Sequence, residues 1–354
     1  MIEIFSDFNA LEQICLLDDY PNWQKAIANQ TEVYTNLNND SLLKELTNSE
    51  SSIFMFYHAN AGASIPIALG NQFQFAEDHE SILNYPYGFF ILNVENDVEE
   101  KLSKTSGLEI YNSNNLIDLK DCNIEHDLLK DKIVTNQDQK DSGWKLLLDD
   151  FCQQNSNSSI IIDRNIFTNW QGEHNLGIEN LKSYFATILP EESILPYEIL
   201  IITELKGRLA EMGRRDDLIN SFVDELQELR DYDIVIETLL VHASTSVYEF
   251  THNRRIFKNY HFGESGHGFC MFCDASRNKV YRDNNFTLQN HFHSVMNGAN
   301  NATSIARRNN LYKRLMDIKA EAEIKLDAHG QNDNYFRLYL NNEESLKINN
   351  RLLG

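Results

Sequence analysis

Positive charge is what this chain has least of. Its 31 Lys and Arg face 53 Asp and Glu over 354 residues, a formal net charge of -22. A nucleic-acid binder usually shows a net basic surface. Any contact with a polyanion must therefore be local, made by a few arginines in a pocket, and the overall field disfavours non-specific attachment to DNA or to an anionic membrane. Long apolar runs are also missing: no stretch approaches the roughly 18 apolar residues of a membrane helix. The start, Met1-Ile2-Glu3-Ile4-Phe5, lacks the basic region and the extended apolar run of a secretory leader. Cysteine is sparse and irregular. The five residues Cys15, Cys122, Cys152, Cys270 and Cys273 are odd in number and do not form a disulfide framework, which points to a reducing compartment. Together these absences predict a soluble, cytoplasmic protein with no membrane partner.

What is present fits two globular domains. Hydrophobic residues make up 42% and aromatics 11% of the chain, enough to fill cores. Residues 1–140 read as a small α/β domain of open role. Ser52 to His58 and Gly88 to Val94 are short, apolar and rich in β-formers, so both read as buried strands, and Asp97 to Lys104 reads as a helix capped by Asp97. His58 to Ser64 then reads as the loop after a strand. The polar stretch Asn136 to Gly143 marks a boundary.

A second domain over 145–300 alternates strand and helix. Strands are expected at Ile160–Ile162, Glu198–Thr203 and Asp233–Val241, with helices at Leu176–Leu189, ended by Pro190, and at Asp216–Leu229. The β-α-β-α-β order implies a mostly parallel or mixed sheet with covering helices. Residues 301–354 read as a long charged helix, about Thr303 to Lys325, and a tail with a strand at Tyr335–Leu340. Asp163 to Trp170 also echoes Asn253 to Tyr260, sharing Arg, Ile, Phe and Asn. The echo suggests two related strands, each placing an arginine at the same height.

The motif that bears on chemistry is His252-Asn253-Arg254-Arg255-Ile256-Phe257-Lys258-Asn259, which reads H-x-R-x4-N and is followed by Gly263 and Gly266-His267-Gly268-Phe269. It resembles the H-x-K-x4-D motif of phospholipase-D-type phosphodiesterases with Lys replaced by Arg254 and Asp by Asn259. The resemblance extends to the phospholipase-D-like domain at the C-terminus of MIT-domain proteins, whose H-D-R-x-I run and G-x-G turn match His252 to Ile256 and Gly266 to Phe269. It implies a phospholipase-D-like mixed sheet with covering helices, preceded by a smaller α/β domain. It also implies recognition of a phosphorylated ligand, nucleic acid or nucleotide, more than its cleavage, within a bacterial antiviral defence assembly that would supply protein partners. Residues before 150 do not resemble the MIT bundle.

His252, Arg254 and Asn259 are the expected ligand-binding pocket, helped by Arg164 and by backbone amides near Gly266 and Gly268. Arg254 keeps the charge and favours bidentate contact with an oxyanion. Placed two residues after His252, it is expected on the same face of the same strand, with Glu204 or Glu237 as the ion-pair partners of a purely structural alternative. Two other functions stay open. One is a metal-independent phosphodiesterase or nuclease using His252 with His242 or His267. The other is a protein-interaction subunit without ligand. Cys270-Met271-Phe272-Cys273 with His291 and His293 has metal-ligand spacing, but the apolar pair between the thiols suits a buried strand better. No metal or cofactor is expected. Arg214-Arg215 and Arg307-Arg308 read as solvated helix faces.

Overall fold

The computed structural model describes residues 3–28, 32–60, 79–116, 130–134, 144, 155–171, 174–265, 284–290, 302–330, 335–341 and 343–354. The chain divides into two compact units, Met1–Leu128 with Asn290–Asn310, and Leu129–Gln289 with Leu311–Gly354. The expected boundary at 136–143 lies outside the described residues. Among the described residues no helix is long and apolar enough to cross a membrane.

Unit 1 is built on β1 (Glu3–Ser6), α1 (Phe8–Leu16), α2 (Pro21–Ala28), β2 (Glu32–Thr35), α3 (Asn39–Thr47), α4 (Ser52–Asn60), β3 (Gly88–Leu92), α5 (Asn96–Ser106) and β4 (Glu109–Asn112). The four strands are all parallel, in the order β2-β1-β3-β4. Parallel strands are covered on both faces, which is why every residue of the Gly88–Leu92 run is buried. The stretch Ser52 to His58 is helix α4 and not a strand. Ile53, Phe56 and Tyr57 are buried at helical spacing while Met55 stays 48% exposed. With apolar residues on nearly every position, the run carries no period to tell helix from strand. Helix α5 starts one residue before Asp97 and ends at Gly107, whose left-handed φ of 64° closes the last turn. Cys15 is buried in α1, and burial followed by the nearby Glu12 pushes its thiol up to about 12, so it is a packing residue.

Unit 2 contains β5 (Lys130–Val134), β6 (Ser158–Ile162), β7 (Trp170–Gln171), β8 (His174–Asn175), α6 (Leu176–Ile188), β9 (Tyr197–Glu204), α7 (Met212–Gln227), β10 (Ile234–Val241), α8 (Tyr248–His252), β11 (Arg254–Lys258), β12 (His261–Ser265), β13 (Asn284–Asn290), β14 (Phe336–Leu340) and β15 (Glu343–Glu344). Nine strands form one mixed sheet in the order β15-β14-β10-β9-β6-β11-β12-β13-β5. At its centre β6, β9 and β10 run parallel, while β11 and β14 flank them antiparallel. Helix α9 (Ala302–His329) begins at residues grouped with unit 1. The strands and helices expected for this region all form, within a few residues of the stated limits.

Alternation sorts the side chains of the sheet. One face carries Ile161, Ile199, Ile201, Ile236 and Ile256 and shares a core with Leu181, Phe185, Phe222 and Leu226 of α6 and α7. The other carries Ser158, Glu198 and Glu237 and receives the segment 348–354. There Asn349 N–H donates to Glu237 Oε1 at 2.6 Å, and Arg351 donates to both carboxylate oxygens of Glu198 at 2.6 and 2.7 Å. Leu315, Ile318, Ala322 and Leu326 form the buried stripe of α9, and Lys319 and Glu323 from that helix also hold the segment.

Two devices fix α6. Asn175 caps its start by accepting from Gly177 N–H and Ile178 N–H, and the Arg230 guanidinium caps its end on the carbonyls of Ala186, Leu189 and Pro190.

Candidate anion-binding site

In open α/β sheets ligands bind outside the carboxyl ends of the parallel strands. Strands β6, β9 and β10 end together, so the residues that follow them meet at one edge. These are Asp163-Arg164-Asn165, Leu205-Lys206 and His242 to Ser246. Strand β11 begins at the same edge with Arg254, because it is antiparallel and Arg255 faces Ile162. One further step of register sets Arg254 opposite Asp163. Asp163 N–H donates to Ile202 O at 3.1 Å, and Thr203 faces Leu240, which faces Arg337. Arg254, Asp163, Thr203, Leu240 and Arg337 thus form one row across one face of the sheet.

The row holds more cation than its neighbours neutralise. Asp163 is 1% exposed, and its Oδ1 already accepts Asn165 N–H at 2.8 Å. The Arg254 Nε lies 3.9 Å from that same oxygen, too far for a hydrogen bond, and is buried without an acceptor. Arg164 sits in the turn after β6, tied by its backbone N–H to Thr251 O at 3.2 Å. Its guanidinium lies 5.2 Å from the Tyr248 ring centre, and its Nε is likewise buried with no acceptor. Thr203 Oγ1 and Arg337 Nε are buried without partners in the same row. Lys206 bridges the loops, donating to Asn165 Oδ1 at 2.7 Å and pairing with the Glu204 carboxylate. A guanidinium N–H buried without an acceptor is costly, and an oxyanion offers acceptors for several such donors.

The pocket expected from the sequence is partly redrawn. His252 is exposed on the last residue of α8, not on the strand of Arg254, because Tyr248 to His252 close a helical turn held by Thr251 Oγ1 donating to Tyr248 O. The two residues therefore do not share a strand face. Asn259 lies at the far end of β11, roughly 16 Å along an extended strand from Arg254. Fully buried there, it accepts from Ser156 Oγ, Asn157 N–H and Ser158 N–H, and it donates to Asn157 Oδ1. These bonds tie the end of β11 to the residues that open β6. Gly263 is a buried strand residue of β12 facing Ile256, not part of a turn. Gly266, His267, Gly268, Cys270, Cys273, His291 and His293 lie outside the described residues. Among the described residues no three His, Cys, Asp or Glu side chains cluster as a metal site.

The partner of Arg254 is Asp163, not Glu204 or Glu237. Glu204 pairs with Lys206, and Glu237 holds Asn349. Neighbouring Arg255 is the firmly paired one, 3.0 Å from Glu264 Oε1 and 4.8 Å from the Phe250 ring centre. The echo between 163–170 and 253–260 is not two strands: the first copy is the turn after β6 and the second is β11 itself. Their arginines still reach the same edge, because one strand ends where the other starts. His242 is exposed at this edge, with Nδ1 2.8 Å from Ser244 Oγ. Arg214 is exposed and paired with Glu211, as a solvated residue should be, but Arg215 is buried, with its guanidinium 5.9 Å from the Tyr339 ring centre. The side chains of Arg307 and Arg308 lie outside the described ones. Asp163, Thr203 and Arg337 were not singled out as site residues, although asking which residues follow Ile162 and end the next parallel strand locates the first two.

Among the described residues of unit 1, no arginine Nε is buried without an acceptor. At the carboxyl edge of its sheet Asp7 accepts from Asn36 Nδ2 and, at 3.2 Å, from Ser113 Oγ, so both its oxygens are taken.

No family model matches this chain, and no curated protein matches it.

Proposed function

We propose that unit 2 recognises a phosphorylated ligand without cleaving it, at the carboxyl edge of β6, β9 and β10. The observation that carries this is that the Nε atoms of Arg164 and Arg254, both at this edge, are buried without an acceptor, with Asp163 the carboxylate beside Arg254. Phosphate presents the oxygens both guanidinium groups lack. A chain of net charge -22 would hold such an anion only in a local pocket of this kind. The phospholipase-D-like reading of the fold supports the same ligand, since it sets the H-N-R-R-I run at the entry of a strand beside the central sheet. Recognition is favoured over hydrolysis because His252 stands on a helical turn away from the Arg254 strand, and catalysis of this type needs two facing imidazoles.

Calorimetric titration with inorganic phosphate tests the proposal. Wild type binds, and Arg254→Ala and Arg164→Ala each weaken binding by roughly 1.5 to 3 kcal/mol, the range for a charged hydrogen bond. Bis-p-nitrophenyl phosphate is not hydrolysed in the presence of EDTA. No phosphate binding, or unfolding of Arg254→Ala together with Asp163→Asn, makes Arg254 a core ion pair and defeats the reading. A place in a bacterial defence assembly follows from the family resemblance alone. Its test is whether phage resistance falls on deletion and fails to return with the double arginine variant.

A further inference from the structure

We infer that the groove next to this edge takes a nucleobase, so that the phosphorylated ligand is a free nucleotide; this rests on the phosphate reading above. The groove has a volume of about 450 Å³ and is lined by Trp170, Arg208, Arg214, Asp217, Leu218 and Ser221. That size falls within the range of small-molecule sites. Two of its lining residues pair, with the Arg208 guanidinium carbon over the Trp170 ring, 3.5 Å from its centre. The Trp170 indole N–H is spent on Phe167 O at 3.1 Å, which fixes the ring. Arg208 is exposed and, among the described residues, makes no ion pair. A guanidinium over an indole, paired with no carboxylate among the described residues, presents a cationic surface of the kind on which bases stack. Leu218 adds apolar wall, while Asp217 and Ser221 supply groups for the polar edge of a base.

The groove and the arginine row share their loops. Arg164 and Trp170 belong to the turn after β6, while Lys206 and Arg208 belong to the segment after β9. The bond from Lys206 to Asn165 joins the two. Gly207, at φ +57°, gives that segment the left-handed turn that separates Lys206 from Arg208. A ligand with one planar aromatic end and one anionic end matches both halves. The acidic surface selects a compact ligand over a strand, since a mononucleotide brings only about two negative charges and a polynucleotide brings many.

The test titrates adenosine monophosphate, adenosine, inorganic phosphate and a deoxyadenosine pentanucleotide into the whole chain by calorimetry. Adenosine monophosphate should bind at least tenfold tighter than inorganic phosphate. Trp170→Leu should remove that advantage, about tenfold, and leave phosphate affinity unchanged. Arg208→Ala, at an exposed position, should do the same and serves if the tryptophan variant does not fold. If adenosine monophosphate binds no tighter than phosphate, the base site is wrong while the arginine site stands. If adenosine binds and phosphate does not, the arginine site is wrong while the groove stands. Tighter binding of the pentanucleotide than of the mononucleotide overturns the choice of a free nucleotide. Equal losses of both ligands in Trp170→Leu would make the tryptophan a structural support and overturn the inference.

Discussion

Replacing Glu237 by Gln should stabilise this protein at high pH and leave it unchanged at low pH. Glu237 is 2% exposed on the central strand β10. Its Oε1 accepts Asn349 N–H, while its Oε2 is buried without a partner. Burial, opposed by backbone hydrogen bonds from Asn349 and Asn350 and aided by the nearby Glu198, raises its carboxyl from 4.5 to about 7. The folded state therefore holds this proton more tightly than the unfolded chain does. Its contribution to stability is complete below pH 4.5 and is lost as pH rises through about 7. A displacement of this size corresponds to about 3 kcal/mol, most of which falls between pH 5 and pH 8. Glutamine copies the neutral acid and keeps the acceptor for Asn349. Urea unfolding of wild type and Glu237→Gln at both pH values reads the difference, since titrating groups not coupled to Glu237 cancel between the two proteins. An equal effect at pH 5 and pH 8, or a less stable variant at pH 8, would show that the carboxylate is not strained by burial and refute the argument.

Three further outcomes follow from the geometry. Asn259→Ala strands the buried amides of Asn157 and Ser158 and should cost about 2 to 4 kcal/mol in urea unfolding, with phosphate affinity unchanged; a loss of affinity at full stability would return Asn259 to the ligand site. Gly177→Ala places a Cβ 1.4 Å from Ile166 O, so either α6 or the turn after β6 must move. Its cost should be about 3 kcal/mol or more, seen as a lowered Tm, and an unchanged Tm would mean that the approach is not tight in solution. Arg230→Ala frees the last carbonyls of α6 and should cost about 1 to 2 kcal/mol, readable in the same unfolding assay, whereas a neutral result would assign the capping to water.

The sequence is most legible in the centre of unit 2 and least legible in unit 1. Ile160–Ile162, Tyr197–Glu204 and Ile234–Val241 announce themselves because a central parallel strand is buried on both faces and reads as a mostly apolar, β-branched run. The strands of unit 1 at Glu3–Ser6 and Glu32–Thr35 have four residues each, too short for a period to show, and α4 is apolar all round. At the site, Arg254 was legible from the H-x-R spacing and Arg164 from the echo between 163–170 and 253–260. The surroundings of His252 were not, since a single helical turn before a strand leaves no mark in an H-x-R spacing. Nor was Asp163 as the partner of Arg254, because strand register is set by tertiary pairing.

The turn from Asp163 to Trp170 is pinned from several directions. Asn165 N–H is held by Asp163, Phe167 O accepts from both Trp170 and Asn175, and Gly177 packs against Ile166 O. A turn anchored this way has no slack in length. The connection from Glu191 to Ile194, by contrast, is mostly exposed, with Ile194 at 73%. Anyone inserting a reporter, a tag or new chain termini into unit 2 should therefore cut at Glu191 to Ile194, where added residues meet only solvent. Even one residue added between Asp163 and Trp170 would push both arginine loops out of register with the sheet edge they serve.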